Sequence, residues 1–349
     1  MLGAASRNWT KNDAHATNKR HVTIATRSHV RFVQSGDLHW EEYVRTGPTP
    51  APTPDPVARA QRPLLLLHGL SDSCRTWNRI VPALAVGRRV VALDLPGHGK
   101  SGRPDATYDP AFYARTVSLW LEMLRAEDSD FDSFDVVGHS LGGGIAQRLL
   151  LESVGPRIAR LGLVSAGGLG TEVALPLRLA AMSGAIELTS QYLMGVGTRA
   201  GMRVLGGDFD AEDRAHLASV NARAGTARAL ARTLKSALDY KGQREHLLDH
   251  AHRLERLPPI RVFWGDKDQV IPVAHAHAVL RFVDGATVRR FAKAGHYPHR
   301  EAALDLLPEL TSFLDEEQPE PRVRFGSRSP RAESRQAASS SFGRLAKAG

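Results

Sequence analysis

The chain has 349 residues, 42% of them hydrophobic and 24% charged, enough for one large domain with an insertion. No apolar run reaches membrane-spanning length, and the first residues lack the apolar core of a secretory signal. A single cysteine, Cys74, excludes an internal disulfide and fits a reducing, cytoplasmic setting.

The formal charge of +9 raises the question of nucleic acid, so its placement matters. Met1 to Arg31 hold six Lys/Arg against one Asp, and Glu316 to Gly349 hold seven against four Glu, which leaves the body at +1. Basicity confined to the ends, without many interleaved aromatics, argues against a specific nucleic-acid partner.

In chain order, residues 1–28 are polar, basic and aperiodic, and read as a disordered tail. Val30–Val33 and His39–Val44 predict an edge hairpin turning at Ser35-Gly36-Asp37. Five prolines between Gly47 and Pro56 predict a stiff exposed loop. Leu64–Leu67, four apolar residues in a row, suits a strand buried on both faces of a parallel sheet. A helix follows from about Ser73, with Trp77, Ile80, Val81 and Leu84 at helical spacing and Trp77 read as core. Val90–Leu93, Asp135–Val137 and Leu161–Val164 predict strands, alternating with helices over Pro110–Leu124 and Ile145–Leu151. That alternation means βαβ crossovers and a mostly parallel, doubly wound sheet.

After Gly170 the rhythm breaks. Residues 171–256 read as an all-helical insertion, with Leu175, Leu179, Met182 and Ile186 at helical steps. Strands Ile260–Trp264 and Val288–Phe291 then resume the pattern, separated by a helix over Val273–Phe282. A last helix spans Arg300–Leu314, and residues 316–349, rich in Ser, Arg and Ala, read as a second disordered tail. The core is therefore expected at 29–170 and 257–315, with 171–256 as a lid between the sixth and seventh core strands.

The chemistry centres on Val137-Gly138-His139-Ser140-Leu141-Gly142-Gly143-Gly144. On its own a G-x-S-x-G box is a common glycine-rich turn. With a strand before it and a helix after it, the box becomes a turn that lifts a serine hydroxyl above the sheet edge. Leu141, at the helix N-terminus, aims its backbone N–H at developing negative charge.

This stretch resembles the nucleophile elbow of the α/β-hydrolase superfamily. His68-Gly69-Leu70 resembles its oxyanion loop, and Asp94 to Ser101 the turn after its next strand. The resemblance covers about Val30 to Leu314 and implies an α/β-hydrolase sheet carrying a Ser-His-Asp triad. Its oxyanion donors would be the backbone N–H groups of Leu70 and Leu141.

The family's order places an acid and then a histidine downstream of the serine. His296, directly after the last strand in Lys293-Ala294-Gly295-His296, resembles the base; His299 falls where the last helix starts. In Gly265-Asp266-Lys267-Asp268-Gln269-Val270-Ile271-Pro272 the family's spacing of Gly, Asp and Pro selects Asp268, leaving Asp266 as a turn former. Ser165 to Gly170, where some members carry the acid, contains none.

The remaining polar features have plainer readings. His68 reads as a loop anchor, Asp94 and His98 as turn residues, Trp264 as core and Cys74 as packing. Glu245, His246, Asp249, His250 and His252 repeat at i, i+4 on an expected lid helix, but no further ligand closes a metal site. The resemblance implies hydrolysis of an ester or lactone of a small apolar molecule, with no metal or organic cofactor. Relatives that cleave carbon–carbon bonds in vinylogous diketones often have Asn where this chain has His139. A non-turnover ligand-binding protein on the same fold is the other alternative.

Overall fold

In a computed structural model the described residues run from 23 to 316, apart from 34–35, 47–60, 184, 189–190, 206, 247–248, 251–253, 255–256 and 282. The expected proline-rich loop, Ser35, His252 and both chain ends before 23 and after 316 lie outside them.

Eight strands form one sheet: β1 (Thr23–Val33), β2 (Gly36–Thr46), β3 (Leu64–Leu67), β4 (Val90–Leu93), β5 (Phe134–His139), β6 (Ile158–Val164), β7 (Ile260–Gly265) and β8 (Thr287–Phe291). Their spatial order is β1-β2-β4-β3-β5-β6-β7-β8. The β1–β2 hairpin is antiparallel and β2 runs antiparallel to β4, while the strands from β4 to β8 pair in parallel.

Alternation along the strands explains the apolar runs. In β3, Leu65 and Leu67 face one core layer, with Trp120, Tyr113 and Ile145. Leu64 and Leu66 face the other, with Trp77, Ile80 and Phe313. A strand covered on both faces has no polar side to show. The first layer is built by helices α2 (Pro110–Glu127) and α3 (Leu141–Leu149), the second largely by α9 (Ala303–Asp315). Helix α2 starts where its sequence says it should: the Asp109 side chain accepts from the Phe112 N–H, and Pro110 fills the first turn.

Among the described residues four α-helices stand between β6 and β7: α4 (Leu175–Ser183), α5 (Gln191–Leu205), α6 (Ala211–Asn221) and α7 (Thr226–Ala237). Asn221 Nδ2 donates to the Ser71 carbonyl at 2.8 Å. Phe209, Leu217 and Val220 pack with Tyr297 from the loop beside the last helices. Helix α4 forms as its spacing predicts, yet Leu175, Leu179 and Met182 face outward, 55–64% exposed.

Elements differ from expectation in four places. Strand β1 begins at Thr23, within the stretch expected as tail, because its partner β2 satisfies its backbone although neither face carries an apolar stripe. The helix expected from Ser73 divides into a 3₁₀ turn, Cys74–Trp77, and α1, Val81–Leu84, since Pro82 has no N–H to continue a ladder. Val273–Phe282 becomes two 3₁₀ turns, Val273–His277 and Val279–Arg281. The last helix is preceded by a single turn, α8 (Pro298–Glu301).

Strand β1 also carries a polar anchor: Ser28 Oγ lies 2.7 Å from Nε2 of the buried His39. Truncation through Ser28 is therefore expected to cost about 1–3 kcal/mol relative to truncation through Val22, because it strands a buried imidazole nitrogen. Urea denaturation of the two truncated proteins reads the difference. Equal midpoints would show that β1 before His29 contributes nothing.

Candidate active site

Strand β5 lies between β3 and β6, so whatever follows it emerges at the middle of the sheet. Ser140 follows it, with φ 51° and ψ −117°, and α3 begins at the next residue. The Ser140 N–H donates to the Val164 carbonyl at 3.0 Å, and its own carbonyl accepts from Gly143, Gly144 and Gly167. A Cβ at Gly138 would overlap the Gly142 carbonyl, and one at Gly142 would overlap the carbonyls of Leu67 and His68. The two glycines of the box therefore let strand, turn and helix share one small volume.

The loop after β3 lies against this turn. A Cβ at Gly69 would fall 3.2 Å from Ser140 Cβ and 2.9 Å from His139 Nδ1. Leu70 follows, half-buried like Leu141, and both pack on the core. Leu141 is the first residue of α3, so its N–H has no acceptor within the helix. His68 ties this loop to the next: Nδ1 donates to the Gly69 carbonyl at 2.7 Å, and Nε2 accepts from the Leu95 N–H at 3.0 Å.

The loops after β7 and β8 supply the other two groups. Gly265 and Phe291 are paired residues at the ends of those strands. Beyond them the Lys267 N–H donates to the Ala294 carbonyl at 2.9 Å. His296 Nδ1 lies 2.9 Å from Asp268 Oδ2. The other carboxylate oxygen, Oδ1, accepts from the N–H groups of Val270 and Ile271 at 2.8 and 3.0 Å. With Nδ1 committed to Asp268, Nε2 is the ring nitrogen left to serve a hydroxyl. Asp266 points elsewhere, to Arg290 at 2.7 Å. His299 is fully buried against Trp77, and its Nε2 meets Thr76 Oγ1 at 3.0 Å.

The structure thus brings Ser140, His139, Gly69 and the His296 loop together and joins His296 to Asp268. Residues that sequence reasoning passed over complete the surroundings. Asp72, buried in the loop after β3, accepts from the Ser73 N–H at 2.8 Å, and burial raises its pKa. The available signal was an acid shortly after the Gly69-Leu70 pair, in Ser71-Asp72-Ser73. Tyr297 packs on His139 and His296, with ring centroids 4.8 and 5.4 Å away.

Among the described residues, the trio spaced to hold a metal ion is His39, Cys74 and Asp94, all buried. There the Asp94 carboxylate already bonds His39 Nδ1 and the Cys74 N–H, each at 2.7 Å. The Glu245–His250 stretch contributes instead to ion pairs: Arg148 with Glu245 at 3.4 Å, and His246 with Asp249 at 3.4 Å. A cavity of about 90 Å³ beside α3 is lined by Leu141, Ile145, Arg148, Gln243, His246 and His250. It borders the site at Leu141 but includes none of Ser140, Asp268 and His296.

Residues 62–303 match the family described as the alpha/beta hydrolase fold. The chain belongs to that family. An uncharacterized protein of Mycobacterium tuberculosis is 32% identical over 278 residues, 75% of this chain and 78% of that protein. A dihydrolipoyllysine-residue acetyltransferase component of the acetoin cleaving system of Pseudomonas putida is 30% identical, over 72% of this chain and 63% of that protein. A carboxylesterase of Bacillus subtilis superposes with a TM-score of 0.63 at 19% identity, over 84% of this chain and 93% of its own, a likeness of fold alone. No helix among the described residues is long and apolar enough to cross a membrane.

Buried histidines give the folded state a pH signature. Burial above all lowers His98 to about 3. Burial, then neighbouring His299 and His296, holds His139 well below its ordinary value; for His299 it is burial, then Arg300 and His296. Each is neutral when folded and protonates on unfolding, so their contribution is intact above about pH 6.5 and lost as pH falls below it. Melting temperature is expected to drop progressively below pH 6.5, before the carboxylates titrate. A melting temperature flat between pH 6.5 and 4.5 would contradict this reading.

Proposed function

We propose that the protein is a serine hydrolase acting on a carboxylic ester or lactone of a small, mainly apolar molecule. The observation that carries this is the His296–Asp268 pair at 2.9 Å, with Asp268 also holding two backbone N–H groups. A carboxylate fixed in that way sets the imidazole's tautomer and direction. Ser140, on its strained turn, is the nucleophile the pair would serve.

In this reading Ser140 Oγ attacks the carbonyl carbon while His296 Nε2 takes the hydroxyl proton. The oxyanion is carried by the N–H groups of Leu70 and Leu141, which face charge that exists only in the transition state. His296 returns the proton to the leaving alkoxide, and water, activated by the same nitrogen, releases the acyl group. Residues 171–256 act as the lid. Its Phe209, Leu217 and Val220 sit with Tyr297 beside the base, which favours an apolar substrate portion. The similarity to a carboxylesterase fold supports the class. Ser140 at the nucleophile turn does not suit epoxide opening through an aspartyl ester.

A fluorophosphonate is expected to label the protein once, at Ser140, and the Ser140→Ala protein not at all. Turnover of 4-nitrophenyl butyrate should fall to background in Ser140→Ala and His296→Ala. Asp268→Asn should lose on the order of 10⁴-fold in kcat, far more than Asp266→Asn, because it leaves the wrong tautomer. Labelling at another residue, or equal losses from the two Asn variants, would overturn the assignment.

A further inference from the structure

We infer that His139 is a positioning residue that locks the catalytic base and the oxyanion loop to the nucleophile turn. The inference rests on the serine-hydrolase reading but concerns a residue outside the triad. His139 Nε2 lies 2.8 Å from the His296 carbonyl oxygen, across a sequence separation of 157 residues. A carbonyl can only accept, so Nε2 carries the hydrogen and donates. The imidazole itself is buried, 1% exposed. Burial first, then the neighbouring His299 and His296, keeps it neutral far below ordinary histidine behaviour, so Nδ1 is a bare lone pair.

That nitrogen has no hydrogen-bond partner among the described residues, and it faces Gly69, where an added Cβ would come within 2.9 Å. A buried acceptor without a partner costs free energy that an apolar side chain of similar size would avoid. What the imidazole supplies in return is the bond from its other nitrogen. The base is then fixed at two points: its ring by Asp268 at Nδ1, its main chain by His139 at the carbonyl. With only the first, the ring could pivot about the carboxylate and carry Nε2 away from Ser140. Peptide continuity joins His139 to Ser140, and contact joins it to the oxyanion loop. One side chain therefore touches the mounts of all three catalytic parts.

Two tilted ring neighbours, Tyr297 and His299, with centroids at 4.8 and 4.6 Å, offer the competing explanation that His139 merely fills space. The test separates the two. In His139→Leu the volume is nearly kept and the donor is lost; in His139→Gln the amide N–H can still donate. With 4-nitrophenyl butyrate, His139→Leu is expected to lower kcat about 10- to 100-fold with KM changed less than about twofold. It should slow fluorophosphonate labelling of Ser140 by a similar factor, and His139→Gln should recover most of both. Equal rates for the Leu variant and wild type, or equal impairment in the Leu and Gln variants, would overturn the proposal.

Should the Leu variant fail to fold, ¹⁵N-histidine NMR on the unaltered protein decides. His139 is expected to show the neutral Nε2–H tautomer throughout pH 5–9, and an Nδ1–H or doubly protonated ring would refute the geometry. Failure of the hydrolase reading looks different: wild-type protein would resist the fluorophosphonate while the tautomer stayed as described.

Discussion

Ser140 holds a backbone conformation, φ 51° and ψ −117°, that side-chain-bearing residues rarely adopt and that costs on the order of 1–3 kcal/mol. Such strain persists only if its surroundings over-determine it. Here they do so through the backbone: an N–H to Val164 of the neighbouring strand, and a carbonyl shared among Gly143, Gly144 and Gly167. Close approach then follows. Helix α3 begins hard against the end of β3, which only Gly142 permits. Because β5 is central in the sheet, the loop after β3 lies against that serine, and the loop after β8 reaches the preceding residue, His139, through the His296 carbonyl. The site is thus the geometric consequence of one bent turn placed at the middle of a parallel sheet, where strand ends point the same way.

Electrostatics keeps the converging loops in place. Burial alone would raise the Asp94 carboxyl, yet His39, then His68 and the Lys100 N–H, pull it well below the usual carboxylate range. Asp94 in turn holds the Cys74 N–H, so the turn after β4 is clamped to the segment that follows β3. Asp268 uses the same device on the far side, one oxygen for backbone N–H groups and one for a histidine. Asp72 is less well served. Among the described residues the Ser73 N–H is its one backbone donor, the Thr76 side chain adds another hydrogen bond, and burial dominates. The difference between a lowered and a raised carboxyl within this one region is the number of donors that reach it.

Much of this was legible in the residues because parallel strands advertise themselves. Leu64–Leu67 and Val90–Leu93 are apolar on both faces, and no helix or loop reading competes with them. The triad candidates sat at strand ends, where position rather than periodicity identified them. Strand β1 was read only at its Val30–Val33 end; residues 23–29 escaped because an exposed edge strand needs no apolar pattern, only a partner for its backbone. The run from Ser73 to Leu84 showed helical spacing, but periodicity is blind to a proline that interrupts the ladder. His139 could be read only as a letter before the nucleophile. Its significance is a hydrogen bond to a residue 157 positions away, which no local pattern encodes.

The insertion obeys different constraints from the sheet beneath it. It is attached by polar tethers at its margins: Asn221 to the Ser71 carbonyl, Gln243 to the Gly168 N–H and Gly170 carbonyl, Arg300 to Asp213. These fix where the helices sit without fixing what their inner faces must be. The turn at Ser140, by contrast, tolerates little change at Gly138 or Gly142, since backbone oxygens occupy the space any side chain would need. The strained turn and the helical insertion are therefore separately held parts of the molecule. A reader of the sequence can reach the first through glycine spacing and strand ends, while the second depends on helices such as α4, whose apolar stripe at Leu175, Leu179 and Met182 turns outward although its spacing is that of a core helix.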